Sequence, residues 1–413
     1  MSRAILNLGD KVTIHAERLG ELFVALQNGG YKIIGPMVRD AAVVYDELKS
    51  PDELPKGWSD QTDSAQYRLR KGNDQTYFGF NLGPQSWKKF LSPPQRRLWT
   101  AEKDKLGFVV KEEKREIDNL AFLGVRPCEL AAIKVLDRVF KDGQYRPALT
   151  AGAALLNAGR DPGYIEAREK TLIIALNCGQ AGGTCFCASM GTGPKATSDF
   201  DLALTEVLDG DPSGAGQDRH YFVVEIGSAK GIEFAGKTAC TQSSRSEIDA
   251  AQAISDKVAG QMGRILDTSD IKALLERNFE HPRWEAVAKR CLTCSNCTLV
   301  CPTCFCATVE DVTDLSGKSA ERWQRWDSCF TMSFSYVHGG SIRPSAKSRY
   351  RQWLTHKLAS WNTQFGVSGC VGCGRCIAWC PAAIDITEEV RAIRDGDRAA
   401  AISLIKESKY ANA

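Results

Sequence analysis

Two short runs of cysteine constrain this chain more than anything else in it. Cys291-Leu-Thr-Cys294-Ser-Asn-Cys297-Thr-Leu-Val-Cys301-Pro302 has the spacing C-x2-C-x2-C-x3-C-P. Cys370-Val-Gly-Cys373-Gly-Arg-Cys376-Ile-Ala-Trp-Cys380-Pro381 repeats it. Three closely spaced thiolates suit three irons of one cubane, and the fourth cysteine of such a run serves the neighbouring cluster. The spacing therefore predicts one [4Fe–4S] cluster on Cys291, Cys294, Cys297 and Cys380. A second falls to Cys370, Cys373, Cys376 and Cys301. Gly372 and Gly374 would ease the turn of the second loop. The competing reading is two zinc sites, but zinc prefers paired C-x2-C knuckles with four ligands in all.

A chain of 413 residues is too long for one ordinary core, so two domains are expected, with three possible. No apolar run approaches the length of a membrane span. The apolar stretch after Met1 is too short for a secretory signal, so a cytoplasmic location is expected. There the sixteen cysteines stay reduced, which favours metal ligation over disulfides. A net charge of +3 gives no reason to expect a nucleic-acid partner. Five basic residues and no acids lie between Arg343 and Lys357; they read as a solvated helix face, with a docking patch as the alternative.

Cysteine placement divides the molecule. The first 127 residues hold none, five follow from Cys128 to Cys240, and eleven lie between Cys291 and Cys380. Apolar runs predict strands at Tyr31–Ile34, Ala42–Tyr45, Tyr77–Gly79, Leu120–Gly124, Leu172–Leu176 and Tyr221–Val224. Helical periodicity appears at Glu129–Phe140 and from Glu247 to Leu275. The expected architecture is an α/β or α+β domain over residues 1–247, followed by a mainly α-helical ferredoxin-like dicluster domain over 248–413. Sixty-eight residues separate Cys301 from Cys370. Within them, Trp323, Trp326, Phe330 and Phe334 fit one helical stripe; Tyr350, Trp353, Leu354, Leu358 and Trp361 fit another. Both are expected to wall the clusters from water.

A second constellation lies upstream. Cys128 follows a predicted strand, Cys178 ends another, and Thr184-Cys185-Phe186-Cys187 sits in a Gly-rich loop. Strand ends and loops are where cofactor sites are assembled. Cys128, Cys178, Cys185 and Cys187 are therefore candidate ligands of a third iron–sulfur cluster, with structural zinc or unmetallated buried thiols as the alternatives. Cys240 reads as structural; Cys304, Cys306 and Cys329 are surplus to the two clusters and read as buried small hydrophobes, with lining of the cluster environment or substitution for an assigned ligand as the alternatives, although Thr303-Cys304-Phe305-Cys306 echoes the upstream tetrapeptide. Gly191-Thr-Gly193-Pro-Lys-Ala196 is a weak match to a dinucleotide fingerprint, interrupted by Pro194. The five histidines are scattered, and no self-contained active site is visible.

Gly124-Val-Arg-Pro-Cys128-Glu-Leu, Asn177-Cys178, Cys185-Phe-Cys187-Ala-Ser-Met190-Gly-Thr-Gly-Pro194, Asp201-Leu-Ala-Leu-Thr205, Cys301-Pro-Thr-Cys-Phe-Cys306 and Cys370-Val-Gly-Cys-Gly-Arg-Cys376 together carry a family resemblance. From about residue 89 to 385 the chain resembles the β subunit of cytoplasmic NAD(P)-linked [NiFe] hydrogenases, also called sulfhydrogenases. The corresponding electron-transfer subunit of anaerobic sulfite reductase is similar. The resemblance implies an electron-transfer subunit between an FAD- and NAD(P)-binding subunit and a hydrogenase heterodimer. It also implies that the four upstream cysteines act as cluster ligands. A sulfite reductase role and a non-redox iron–sulfur scaffold are the alternatives.

Overall fold

A computed structural model of the chain describes residues 6–72, 75–113, 115–143, 159–209 and 219–411. In chain order the strands begin with β1 (Lys11–His15), β2 (Lys32–Arg39), β3 (Ala42–Leu48), β4 (Trp58–Asp63) and β5 (Gln66–Lys71). Next come β6 (Gln95–Lys103), β7 (Phe108–Glu112), β8 (Leu120–Val125), β9 (Thr171–Leu176), β10 (Leu202–Asp209), β11 (Arg219–Ile226) and β12 (Thr241–Gln242). The series ends with β13 (Ala307–Thr313), β14 (Ser319–Trp326), β15 (Tyr336–Val337) and β16 (Gly340–Ser341).

An eight-stranded mixed sheet runs β12-β1-β11-β10-β9-β8-β2-β3. Its centre, β2-β8-β9-β10, is parallel. Parallel strands are covered on both faces and so become apolar on both. β9 obeys this, with all six residues buried. Its alternation sends Leu172, Ile174 and Leu176 to one face, against α1 (Leu19–Asn28). Ile173 and Ala175 point to the other. There they meet α2 (Lys88–Leu91), α3 (Pro127–Phe140) and α4 (Pro162–Lys170). α5 (Ala229–Gly236) joins α1 on the first face through Phe234.

The expected strands at β2, β3, β8, β9 and β11 are present. Tyr77–Gly79 is not one. Its Tyr77 and Phe78 amides donate to the Glu206 carboxylate at 2.6 and 3.0 Å, so a side chain takes the place of a sheet ladder. The periodicity from Glu247 to Leu275 resolves into α6 (Arg245–Ala259) and α7 (Ile271–Arg277), separated after Gly260.

The C-terminal part is less helical than expected. α8 (Arg283–Ala288), α9 (Asn296–Leu299), α10 (Ala346–Thr355), a π turn at His356–Ser360, α11 (Trp361–Phe365), α12 (Arg375–Ala378) and α13 (Ile386–Ala411) are helices. The stretch holding Trp323 and Trp326, however, is strand β14 and not a helix. It lies between β13 and β6 in an antiparallel sheet ordered β13-β14-β6-β7. The register from Ser319↔Glu102 to Arg325↔Gln95 joins segments more than two hundred residues apart. Cross-strand pairs hold it: Arg322 bonds Asp311 at 2.6 Å and covers Trp99, while Arg97 bonds Glu321 at 2.7 Å and faces Trp323. These partners outweigh a helical spacing of aromatics.

Candidate iron–sulfur site

The two cysteine loops share one backbone. In the first, Thr293 and Ser295 have φ of 51° and 69°; in the second, Gly372 and Gly374 have 65° and 73°. These are equivalent positions, directly before and after the middle cysteine of each run. Glycine takes this left-handed conformation freely, whereas a β-branched Thr does so at a cost. Each loop then enters a one-turn helix, α9 or α12, and Asn296 links the pair by donating to the Trp379 carbonyl at 3.2 Å. The turns aim amides at sulfur: Gly372 N–H at Cys370 and Ile384 N–H at Cys380, both at 3.4 Å.

The fourth cysteines cross over. Cys380 lines the same cavity as Cys291, Cys294 and Cys297, walled by Phe330, Tyr350 and Trp353, and Cys376 borders it too. Cys301 lies within the electrostatic reach of Cys370, Cys373 and Cys376, and of Cys297 as well. Cys297 lies within the electrostatic reach of Cys376. Burial pushes the Cys297 and Cys376 thiols well up, and the negative charge of their neighbours adds to the effect. Such a set gives up its protons only in exchange for cations. Three closely spaced thiolates and a crossing fourth suit a cubane better than the paired knuckles of zinc.

The upstream cysteines come together at the carboxyl ends of β8 and β9. Cys128 occupies the first turn of α3, directly after β8, and Cys178 follows β9. Arg126 braces this edge, donating to the carbonyls of Asn177 at 3.2 Å and Phe78 at 3.0 Å and to the Cys178 sulfur. Cys128, Cys178, Cys185 and Cys187 interact electrostatically as one group, and Cys373 of the second loop adjoins them. Burial pushes the Cys185 thiol up to about 12.

Contact between the two regions is close. The Phe186 amide donates to the Gly372 carbonyl at 2.9 Å. A Cβ on Gly374 would lie 2.2 Å from the Thr184 carbonyl oxygen. Beside this contact, the fully buried Arg375 of the second loop forms an ion pair with Glu129, the residue after Cys128. Arg375 also donates to the carbonyls of Gly83 at 2.8 Å and Gln85 at 2.7 Å.

Residues 290–384 match the family model described as a 4Fe-4S dicluster domain. The whole chain is similar to the sulfhydrogenase 2 subunit beta of Pyrococcus furiosus, at 28% identity over 393 residues. The similarity covers 93% of this chain and 98% of the relative. No solved structure matches the chain.

Around the dicluster domain the aromatic expectation holds in part. Phe330, Tyr350 and Trp353 wall the first cavity, and Trp361 packs with Phe305 and Phe365. Trp326 instead lies over the Lys88 ammonium, 3.8 Å from its ring centre. The basic stretch is neither a solvated face nor a free patch. Arg349 and Lys357 are buried, Arg351 bonds Glu280 at 2.9 Å, and Arg343 and Lys347 are half-buried.

Lys357 had no visible signal in the sequence. Its Nζ donates to the Cys301 sulfur at 3.2 Å and the Gly369 carbonyl at 3.1 Å, holding the crossover cysteine. Lys88, equally unmarked, donates to the carbonyls of Cys301 at 3.2 Å and Cys304 at 2.8 Å. Cys240 sits apart, its thiol directed at the Ala235 carbonyl at 3.6 Å. No described helix is long and apolar enough to cross a membrane.

Proposed function

We propose that the chain is an electron-transfer subunit relaying single electrons between an FAD- and NAD(P)-binding subunit and a [NiFe] hydrogenase heterodimer. Cys291, Cys294, Cys297 and Cys380 hold one [4Fe–4S] cluster, and Cys370, Cys373, Cys376 and Cys301 a second. Cys128, Cys178, Cys185 and Cys187 hold a third. Residues 1–247 contribute that third site and residues 248–413 the other two. Bound there, such clusters supply one-electron transfer at potentials set by charge, N–H···S bonds and solvent access.

The observation that carries this reading is the placement of Cys380 beside Cys291, Cys294 and Cys297 and of Cys301 near Cys370, Cys373 and Cys376, with Cys297 in electrostatic reach of Cys376. It brings two thiol sets side by side, most of them buried or half-buried and Cys294 exposed. On the other flank, Cys373 adjoins Cys128 and Cys187, which gives a linear order of three sites. The chain's own residues hold thiolates, donate amides to sulfur and exclude water through Phe330, Tyr350 and Trp353. The likeness to a sulfhydrogenase β subunit supports a hydrogenase complex as the setting.

Anaerobic copurification tests the proposal. A nickel-containing partner and H2-dependent NAD(P)+ reduction support it. A sirohaem partner with sulfite reduction displaces it in favour of a sulfite reductase role. Absence of any cluster reducible at accessible potentials, read by electron paramagnetic resonance, reduces the chain to a scaffold.

A further inference from the structure

We infer that Tyr350 and Trp353 are hydrogen-bond donors to the cluster held by Cys291, Cys294, Cys297 and Cys380, and that they raise its potential. The inference rests on the cluster assignment proposed above. Both side chains come from α10, three residues apart and so on one face of that helix. Both line the cavity that these four cysteines border. Tyr350 is 2% exposed and Trp353 4%, so neither reaches solvent.

Each side chain carries a polar hydrogen that the rest of the protein leaves unused. Among the described residues, neither the Tyr350 hydroxyl nor the Trp353 Nε1 has a hydrogen-bond partner. Burying an unpaired donor is costly, and such groups nearly always find an acceptor. Comparable groups in this chain do. Trp284, in the same core, donates to the Asn278 carbonyl at 2.8 Å, and Tyr164 donates to Asp137 at 2.8 Å. Glu389, whose charge reaches Tyr350, is already bonded by Arg283 and Arg290, each at 2.5 Å. The Nε1 of Trp87 is unpaired too, but that ring is stacked between Tyr45 and Phe122 in another core.

Sulfur is the acceptor that the cavity offers. Five cysteines border it, and both cysteinyl sulfur and the sulfide of a cubane take hydrogen bonds that tune the cluster. A phenol and an indole N–H are both protonated at neutral pH, so both are donors there. Packing fixes where they point. The Tyr350 and Trp353 rings lie 5.5 Å apart, and Phe330 closes the group at 6.4 and 6.0 Å from them. An added electron makes the sulfurs more negative and strengthens any bond donated to them. Two such donors therefore favour the reduced state of this cluster over its oxidised state.

The test is a reductive titration of the anaerobically purified full-length chain, followed by electron paramagnetic resonance, with iron counted per chain. Wild type is compared with Tyr350→Phe, Trp353→Phe and the double variant. The expected result is unchanged iron and one one-electron step moved to lower potential, the others staying in place. In the double variant the ratio of reduced to oxidised cluster at a fixed potential should fall about tenfold, a shift of about 59 mV. Phe330→Leu loosens the same wall but removes no donor, and should leave that step where it is. The inference is overturned if no step moves, if all steps move together, or if Phe330→Leu moves the step as far. Should the Trp353 variants not fold, Tyr350→Phe, which keeps its ring, carries the test with a smaller shift in the same direction. Wild type without iron would defeat the cluster assignment itself, whereas full iron with unmoved potentials defeats only the donor role.

Discussion

The Phe186 amide donates to the Gly372 carbonyl at 2.9 Å, and through that bond two segments almost two hundred residues apart become one surface. The upstream Thr-Cys-Phe-Cys turn lies directly on the second cysteine loop, with no side chain between them. Gly372 and Gly374 are therefore required twice: for their positive φ, and because any Cβ would enter the backbone of 184–187.

Gly374→Ala should consequently be severe. The left-handed conformation alone costs about 1–2 kcal/mol for a residue with a Cβ. A methyl 2.2 Å from the Thr184 oxygen must also push the two loops apart. Gly191→Ala, with a similar φ of 65° and nothing within 4 Å of the added carbon, isolates the conformational part. Thermal unfolding and visible absorbance per chain should show a large loss for the first variant and a small one for the second. Equal effects would mean that the close approach does not matter.

The Glu129–Arg375 pair is the ionic counterpart of that contact. Both partners are fully buried, and Glu129 also accepts the Trp87 amide at 3.2 Å. Burial pushes the Glu129 carboxyl up, and the Arg375 guanidinium opposes it. Glu129→Ala leaves a buried guanidinium with only carbonyl partners and should cost ~3–5 kcal/mol. Denaturant unfolding of the iron-loaded chain measures this; a cost below about 1 kcal/mol would show that water reaches Arg375.

These relationships also mark what could be read in advance. The dicluster motif was legible because its chemistry is local: the spacing of four cysteines fixes a loop, and the repeat fixes a pair. β9 was legible because a strand covered on both faces is apolar throughout. β14 was not, since its stability comes from Arg97, Trp99 and Asp311, none of them in the same window of sequence. Lys88, Lys357 and Arg375 escaped notice for a related reason. A basic residue reads as solvated until the fold places carbonyls and thiols around it.

Acid should loosen the last helix through its surface clasp. Arg277 bonds Asp397 at 2.8 Å and holds its carboxyl below the usual range, while Asp270 is lowered first by Arg394 of α13 and then by Arg277, at 3.0 Å. A carboxylate with a depressed folded pKa contributes stability in full above its unfolded value, near 4. That contribution disappears as pH falls through the lower folded value. Hydrogen exchange on α13 should therefore rise between about pH 4 and 2 before the central sheet responds. Simultaneous loss of both would show that the clasp has no separate role.

Iron removal should act on one core and spare another. Cys291, Cys297, Cys370, Cys376 and Cys380 pack with Trp284, Phe330, Tyr350 and Trp353 in a hydrophobic cluster separate from those of the eight-stranded sheet. Stripping metal leaves a cavity lined by thiols that repel one another once ionised. Limited proteolysis after chelation should cut within residues 290–384 while fragments covering β8 to β11 survive. Uniform digestion would mean that the clusters stabilise the whole chain as one unit.

Cys373 offers the sharpest functional prediction, because it belongs to the second loop and also adjoins Cys128, Cys185 and Cys187. It stands between the upstream group and the dicluster pair, at the narrowest point of the proposed relay. Cys373→Ala should lose about four irons per chain and interrupt transfer, so that H2-dependent NAD(P)+ reduction by the assembled complex collapses. Hydrogen oxidation with an artificial acceptor at the hydrogenase subunits should continue, since that route bypasses this chain. Were NAD(P)+ reduction to persist undiminished after the iron is lost, the second cluster would lie off the path, and electrons would have to reach the flavin subunit from another site.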